Sequence, residues 1–228
     1  MTPARAHLRP PAPVEDGRRA RGDRRRHAIL EVAMDLASTH GLDGLSVGLL
    51  ASKLRMSKSG LFAHFGSMEG LQLAVVESAR QVFVETVVRP ALAAPRGLPR
   101  LWALIDCWLA YAERKVFRGG CFFASVSIEY DSRPGPIRDR IAAVMREWMH
   151  ALRTAVDKAV AEGHLASGTR SDLLAFELHA LAMQGNWSFQ LFGDPGAFAL
   201  ARAAAGARLR AVSTRTAPRL PAAPLAPV

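Results

Sequence analysis

The sequence predicts an all-α chain, on three observations. Apolar residues make up 50% of the chain and aromatic ones only 7%, with Ala and Leu dominant; such a composition favours helix packed on helix over a sheet of β-branched residues. Of the 14 prolines, four lie in residues 1–13, four in residues 218–227 and none between Val14 and Arg89, so the stretch from Arg24 to Arg89 is free to be continuous helical structure. Apolar residues recur at helical spacing, and no segment of convincing length alternates at the strand period. The 228 residues suffice for one large domain or two small ones. Thirty Lys and Arg against 20 Asp and Glu leave a net charge of +10, which points to a polyanionic partner, nucleic acid or an acidic membrane surface. No apolar run is long enough to span a membrane. The basic N-terminus lacks the apolar stretch of a secretory leader. Cys107 and Cys121 form neither a CxxC nor a disulfide framework, so a reducing cytoplasm is the expected setting and a zinc site is not expected.

The first helix is expected over residues 24–39, with Ile29, Val32, Ala33, Leu36 and Ala37 on one face and Gly41 placed to end it. Ser46 caps a short helix over Val47–Leu54. After a break at Arg55 and Met56, Ser57 caps a second short helix that ends near Phe65. Gly66 stops it, and Ser67 caps a long helix through Val88. Further helices are expected over residues 98–116, 121–130, 136–163, 171–192 and 195–212, with a turn cluster at 131–136. This order divides the chain into a flexible basic arm (1–23), a three-helix N-terminal unit (24–66), a larger helical domain (67–212) and a disordered tail (213–228).

Function is legible in the segment SVGLLASKLRMSKSGLFAHF, from Ser46 to Phe65. Leu50, Ala51 and Leu54 would pack inward from its first helix, and Leu61 and Phe65 from its second, with Met56 plugging the turn. This is a helix-turn-helix pattern. Its ionisable side chains are Lys53, Arg55, Lys58 and His64, and it contains no acid. Ser57, Lys58, Ser59 and Gly60 head the second helix, where small and polar side chains can enter a major groove and the helix N-terminus attracts phosphate. Two surface helices of an ordinary bundle would show the same loose pattern; the missing acids and the net charge favour DNA.

The runs Ile29-Leu30-Glu31-Val32-Ala33, His40-Gly41-Leu42, Ser46-Val47, Leu50-Ala51, Met56-Ser57-Lys58, Leu61-Phe62, His64-Phe65 and Ser67-Met68-Glu69 resemble the N-terminal domain of the TetR family of transcriptional regulators. The resemblance covers residues 25–75, and the rest of the chain is similar to that family's regulatory domain in length and helix order. The segment from Gly119 to Ala124, with Glu129, Tyr130 and Asp131, is similar to one subgroup. The resemblance implies a homodimer that binds a palindromic double-stranded DNA operator and releases it when a small-molecule effector occupies the C-terminal domain. It makes Ser46 a phosphate contact, Ser57, Lys58, Ser59 and Gly60 the groove-facing head of the recognition helix, and Phe62 and His64 a backbone anchor. Phe62 stands where Tyr is common, Met68 where Lys is common and Arg55 where Gly is common. Residues 1–26 carry eight arginines against three acids, so Arg24, Arg25 and Arg26 are expected to add phosphate or minor-groove contacts.

All four tryptophans lie beyond residue 100. An effector cavity among these helices would be mostly apolar with few polar groups. Its candidate lining is Trp102, Ile105, Trp108, Phe122, Phe123, Met145, Trp148, Met149, Met183 and Trp187, although plain core packing would account for each singly. The expected effector is apolar or amphipathic. The last two helices, with small residues such as Gly185 and an Ala-rich surface from Ala199 to Ala207, are expected to form the dimer interface or to pack within the chain. Cys121, at a helix start, would be an inert buried residue or a redox-responsive thiol. His150, His164 and His179 have no i,i+4 partner, so no metal is expected. The chain carries no GxSxG, phosphate loop or HExxH; no enzyme activity and no cofactor are expected. The alternative to a DNA-binding regulator is a helical interaction protein with a basic face.

Overall fold

A computed structural model describes residues 14–221. Helix α1 runs Val14–His40, beginning well before the expected start at Arg24. No proline follows Pro13 in this region, and Arg and Ala are strong helix formers. The helix therefore extends past its apolar stripe, whose first buried residue among those described is Ile29. The flexible arm expected over residues 1–23 is thus helical from Val14; residues 1–13 lie outside the described residues.

Helices α2 (Val47–Leu54) and α3 (Lys58–Phe65) follow, each capped as the sequence implies. Ser46 Oγ accepts the Leu49 amide at 3.1 Å, and Ser57 Oγ accepts the Gly60 amide at 3.1 Å. Leu50 and Leu61 are buried in one cluster with the α1 stripe of Ile29, Ala33, Leu36 and Ala37, and Ala51 is buried as well. Between the two short helices Arg55 is in the left-handed region, with φ 52°.

Helix α4 (Met68–Phe83) is capped by Ser67 and continues into a π-helical turn, Val84–Val88, and a short helix α5, Arg89–Ala93. This differs from the single helix to Val88 that the sequence predicts. Pro90 has no amide to give and its ring crowds the preceding turn. A widened turn ahead of it re-registers the hydrogen bonds, a common device for carrying an imino acid inside a helix. Thr86 Oγ1 helps by donating to the Val82 carbonyl at 2.6 Å.

The remaining helices are α6 (Leu98–Glu113), α7 (Phe122–Tyr130), α8 (Pro136–Ala161), α9 (Ser171–Phe192) and α10 (Ala197–Val212). Helix α6 is apolar on most sides and packs against α5, α8, α9 and α10; Leu101, Ile105 and Leu109 are buried along it. The Arg202 guanidinium of α10 reaches Asp106 of α6 at 2.6 Å and Glu113 at 2.8 Å. Asp106 is wholly buried, so its charge needs that partner. The expected disordered tail is ordered at its start: Thr214 Oγ1 donates to the Gly163 carbonyl at 2.6 Å, and Ala217 and Leu220 pack on the core. The hydroxyl and two apolar side chains give residues 213–221 something to bind; residues 222–228 lie outside the described residues.

The N-terminal unit is joined to the larger domain by more than the chain connection at α4. Gly41 ends α1 with φ 77°, and the turn it opens aims the amides of Leu42 and Asp43 at Glu129 of α7. Glu129 accepts both, at 2.8 and 2.9 Å. Gln72 of α4 donates to the Leu42 carbonyl at 2.9 Å, and Tyr130 donates to Asp43 at 2.6 Å. Arg133 pairs with Asp43 as well. On the neighbouring side Arg118 bonds Asp35 at 2.7 Å, and the Gly119 amide donates to Ser38 Oγ at 3.1 Å. A Cβ on Gly119 would meet the Ser38 carbonyl oxygen at 1.8 Å, so the approach requires glycine.

The Arg118 bond holds the Asp35 carboxyl below its ordinary range, against the opposing effect of partial burial. A carboxyl depressed in the folded state contributes stability above its unfolded value and loses it as pH falls through its native value. Arg118→Ala should therefore lower stability only slightly near neutral pH, because an exposed pair is screened by solvent. The difference from wild type should fade below about pH 4. Urea unfolding of both proteins across that interval checks this; a difference that persists in acid would show that Asp35 is not its source.

Candidate nucleic-acid interface and regulatory cavity

The head of α3 is exposed. Ser57, Lys58 and Ser59 face solvent, Gly60 is half-buried behind them, and Phe62 is 40% exposed one turn on. Each cap bond occupies one acceptor site of the Ser46 or Ser57 hydroxyl and leaves its proton to donate. Ser57 Oγ also lies 3.2 Å from Ser59 Oγ. Arg24, Arg25, Arg55 and Lys58 have no ion-pair partner among the described residues, so their charge is available to an outside anion. Arg25, Arg55, Ser57 and Gly60, all expected DNA-contacting residues, share one cleft with Ala28, Ile29, Leu54 and Met56. The cleft opens between α1 and the α2–α3 turn.

Arg26 is engaged differently from Arg24 and Arg25. Its Nη1 donates to the His64 carbonyl at 2.6 Å and its guanidinium lies 4.5 Å from the centre of the Phe65 ring. It bonds an end-of-helix carbonyl of α3 and covers an aromatic face, fixing α3 on α1. His64 is half-buried, with its ring 6.2 Å from that of Phe65.

In the larger domain one cavity of about 200 Å³ opens to solvent. Its walls are Phe83 from α4, Val84 and Val88 from the π turn, Trp108 from α6, Cys121, Phe123 and Ala124 at the start of α7, Val144, Met145, Trp148 and Ala151 from α8, and Met183 from α9. Arg80 and Glu147 complete the lining. Of the expected residues, Trp108, Phe123, Met145, Trp148 and Met183 meet here. Trp102, Ile105 and Phe122 are buried elsewhere in the core, Met149 is half-buried outside the cavity, and Trp187 is 45% exposed on α9. Phe83, Val84 and Val88 escape a reading of the sequence because their helix looks uniform until the effect of Pro90 is followed back through the preceding turn. The Arg80–Glu147 pair, at 2.8 Å, joins residues far apart in sequence and leaves no local signal.

The Trp108 indole donates to Cys121 Sγ at 3.3 Å. Burial pushes the Cys121 thiol up, and that bond and the first amides of α7 offset the effect only in part. This opposes the thiolate that a redox sensor needs. His179 stacks on Trp108 with ring centres 5.1 Å apart, and burial lowers its pKa. Among the described residues no group of three His, Cys, Asp or Glu could hold a metal ion, and no helix is long and apolar enough to cross a membrane.

Helix α9 presents Leu173, Phe176, Trp187 and Leu191 to solvent along one face, and α10 adds Leu200 at 70% exposure. Gly185 does not belong to that face. A Cβ there would meet Ala201 Cβ at 2.8 Å, so its role as a close-approach position lies inside the chain, at the α9–α10 crossing.

An exposed, acid-free helix-turn-helix on a helical domain with a side cavity defines a DNA-binding regulator with a ligand-sized chamber. Two family descriptions match the sequence: "Bacterial regulatory proteins, tetR family" over residues 29–75, and "Tetracyclin repressor-like, C-terminal domain" over residues 97–205. The chain belongs to the TetR family of transcriptional regulators. Comparison with curated proteins finds no match. Among solved structures, a TetR transcriptional regulator from Chloroflexus aurantiacus is 23% identical, with a TM-score of 0.80 over 85% of this chain and 98% of that one. AibR in complex with isovaleryl coenzyme A and operator DNA is 23% identical, with a TM-score of 0.65 over 82% and 97%. A regulator from Saccharomonospora viridis in complex with choline is 19% identical, with a TM-score of 0.74 over 85% and 100%.

Arg55 offers a test of the interface geometry. A side chain in the left-handed region costs about 1–2 kcal/mol that glycine escapes, less the greater chain entropy glycine gives up on folding. Arg55→Gly should raise the unfolding midpoint slightly while weakening binding to DNA of any sequence. Unchanged DNA affinity would remove Arg55 from the interface.

Proposed function

We propose that this protein is a repressor that binds a palindromic operator as a homodimer and leaves it when a small apolar or amphipathic effector fills the cavity. The observation that carries the reading is the surface at the head of α3 and the facing side of α1, where Lys58, Arg55, Arg24 and Arg25 have no ion-pair partner among the described residues and Arg25 and Arg55 share one cleft with Ser57 and Gly60. The α3 head supplies base contacts and the flanking cations supply sequence-independent affinity. The complex of AibR with an acyl thioester and operator DNA supports joining the two activities in one chain of this fold.

Effector and operator communicate through two routes. Helix α4 runs from the packing face of α3 to the cavity wall at Arg80 and Phe83. Helix α7 has Phe123 in the cavity and Glu129 on the turn after α1. Displacing either helix reorients the N-terminal unit, and the coupling is reciprocal between the two ligands.

The proposal is tested on duplexes selected by the protein from random DNA. Lys58→Glu should abolish specific binding while leaving helicity and dimerisation intact. Replacing Arg24 and Arg25 together with Ala should weaken binding to all sequences. It should also reduce the slope of log affinity against log salt by roughly 0.9 for each phosphate no longer neutralised. Arg26→Ala should weaken the selected site without changing that slope, because Arg26 bonds α3. Full affinity of Lys58→Glu would reject the interface.

The exposed apolar face of α9 and α10 is the proposed dimer surface. Two recognition helices on one side of the duplex then meet half-sites about 34 Å apart or slightly more. Phe176, 64% exposed, lies on that face, so Phe176→Glu should yield monomers in sedimentation where wild type is a dimer. A monomeric wild type at micromolar concentration would exclude this arrangement.

A further inference from the structure

The hydrogen-bonding complement of the cavity leans toward donors. Arg80 gives Nε to Glu147 Oε2 at 2.8 Å and Nη1 to Glu77 Oε1 at 3.4 Å, which leaves its Nη2 without a partner among the described residues. Glu147 is the opposite case. Arg80 holds one of its oxygens and Arg140 faces the other at 3.7 Å. Deeper in, the Trp108 indole is committed to Cys121, whereas the Trp148 indole N–H is buried with no acceptor. Two donors, one of them a cation, are therefore left open, while Glu147 Oε1 accepts no hydrogen bond among the described residues and is held only as an ion pair with Arg140. The one carboxylate in the lining, that of Glu147, is already engaged.

Each class of ligand meets this differently. A cation finds Glu147 already engaged by two guanidinium groups and must pass Arg80. A neutral molecule gains burial of its tail but no charged contact. A carboxylate can accept from the free edge of the Arg80 fork, and such charge-assisted bonds are stronger than neutral ones. The tail is selected by the walls. Phe83 meets Phe123 and Trp148 edge to face, with centres 6.3 and 5.1 Å apart, and Trp108 meets Trp148 at 5.4 Å. Met145 and Met183 add flexible, polarisable surface.

We propose that the cavity takes a monocarboxylate with a compact aromatic or branched hydrocarbon tail, its carboxylate seated on Arg80 in competition with Glu147. This rests on the reading of the cavity as the effector site and specifies the chemistry of what enters it. The competition also says where occupancy is felt. Arg80 belongs to α4 and Glu147 to α8, so an acid that takes Arg80 removes one of the ties between these helices and leaves the Glu77–Arg140 pair as the other.

The test uses three probes that differ only at the head group: 4-phenylbutanoate, 4-phenylbutan-1-ol and 4-phenylbutylamine. Binding to the full chain is followed by calorimetry and by tryptophan fluorescence, since Trp108 and Trp148 line the cavity. The acid should bind at least about tenfold more tightly than the alcohol, the gain of one charge-assisted contact, and the amine most weakly. Arg80→Met should bring the acid down to the affinity of the alcohol, and Glu147→Gln, which removes the competitor, should tighten the acid severalfold. A thermal melt of each variant distinguishes a binding defect from a folding defect. If the alcohol binds and the acid binds no better, or if the amine binds best, the carboxylate assignment is overturned while the cavity reading stands. If folded Arg80→Met binds the acid as wild type does, Arg80 is not its seat. If none of the three binds, the cavity reading falls and this proposal with it.

Discussion

Two backbone amides, those of Leu42 and Asp43, point at one carboxylate, and the rest of the architecture is arranged around that contact. Gly41 lets α1 end in the left-handed turn that exposes both amides. Glu129 meets them from the last turn of α7, and Tyr130 and Arg133 then secure Asp43 from the same side. An N-terminal unit held only by the entry to α4 could swing on that one connection. Held also at this turn, it takes its orientation from α7, whose other end forms part of the cavity wall. The joint ties the N-terminal unit to the helix whose start lies in the cavity wall beside Trp108 and Trp148.

Two of the helices that line the cavity, α4 and α7, also reach the joint. The π turn widens the helix backbone at Val84–Val88 and places Val84 and Val88 in the lining. Below it, α4 packs on α1 and α3. The ion pairs among Glu77, Arg80, Arg140 and Glu147 lie at the solvent side of this region and tie α4 to α8. A partly exposed pair contributes little to stability. Its position between the two helices matters more than its energy.

The helix-turn-helix is legible in the sequence because its determinants are local. Ser46, Ser57 and Ser67 announce helix starts, Gly41 and Gly66 announce ends, and the lack of acids between Ser46 and Phe65 is visible without any structure. The joint is not legible, since Glu129 and Leu42 are joined only by the fold. Arg26 shows the same limit at short range: sequence places it with Arg24 and Arg25 in one basic run, but the helical rotation turns it onto the Phe65 ring and leaves its neighbours in solvent. Gly185 reads correctly as a close-approach residue, and only packing shows that Ala201 of the same chain is what approaches. In the cavity, aromatic content points to Trp108, Phe123 and Trp148 but equally to Trp102 and Phe122, because apolarity does not distinguish a filled core from a wall.

The joint itself is open to direct measurement without operator or effector. Native-state hydrogen exchange reads the opening free energy at each amide. If Glu129 locks the turn onto α7, the amides of Leu42 and Asp43 should exchange as slowly as those in the middle of α6, opening only with the whole molecule, and Glu129→Gln should release them selectively. Rapid exchange of these two amides in the wild-type protein, while α6 stays protected, would show that the N-terminal unit swings freely and would contradict the account.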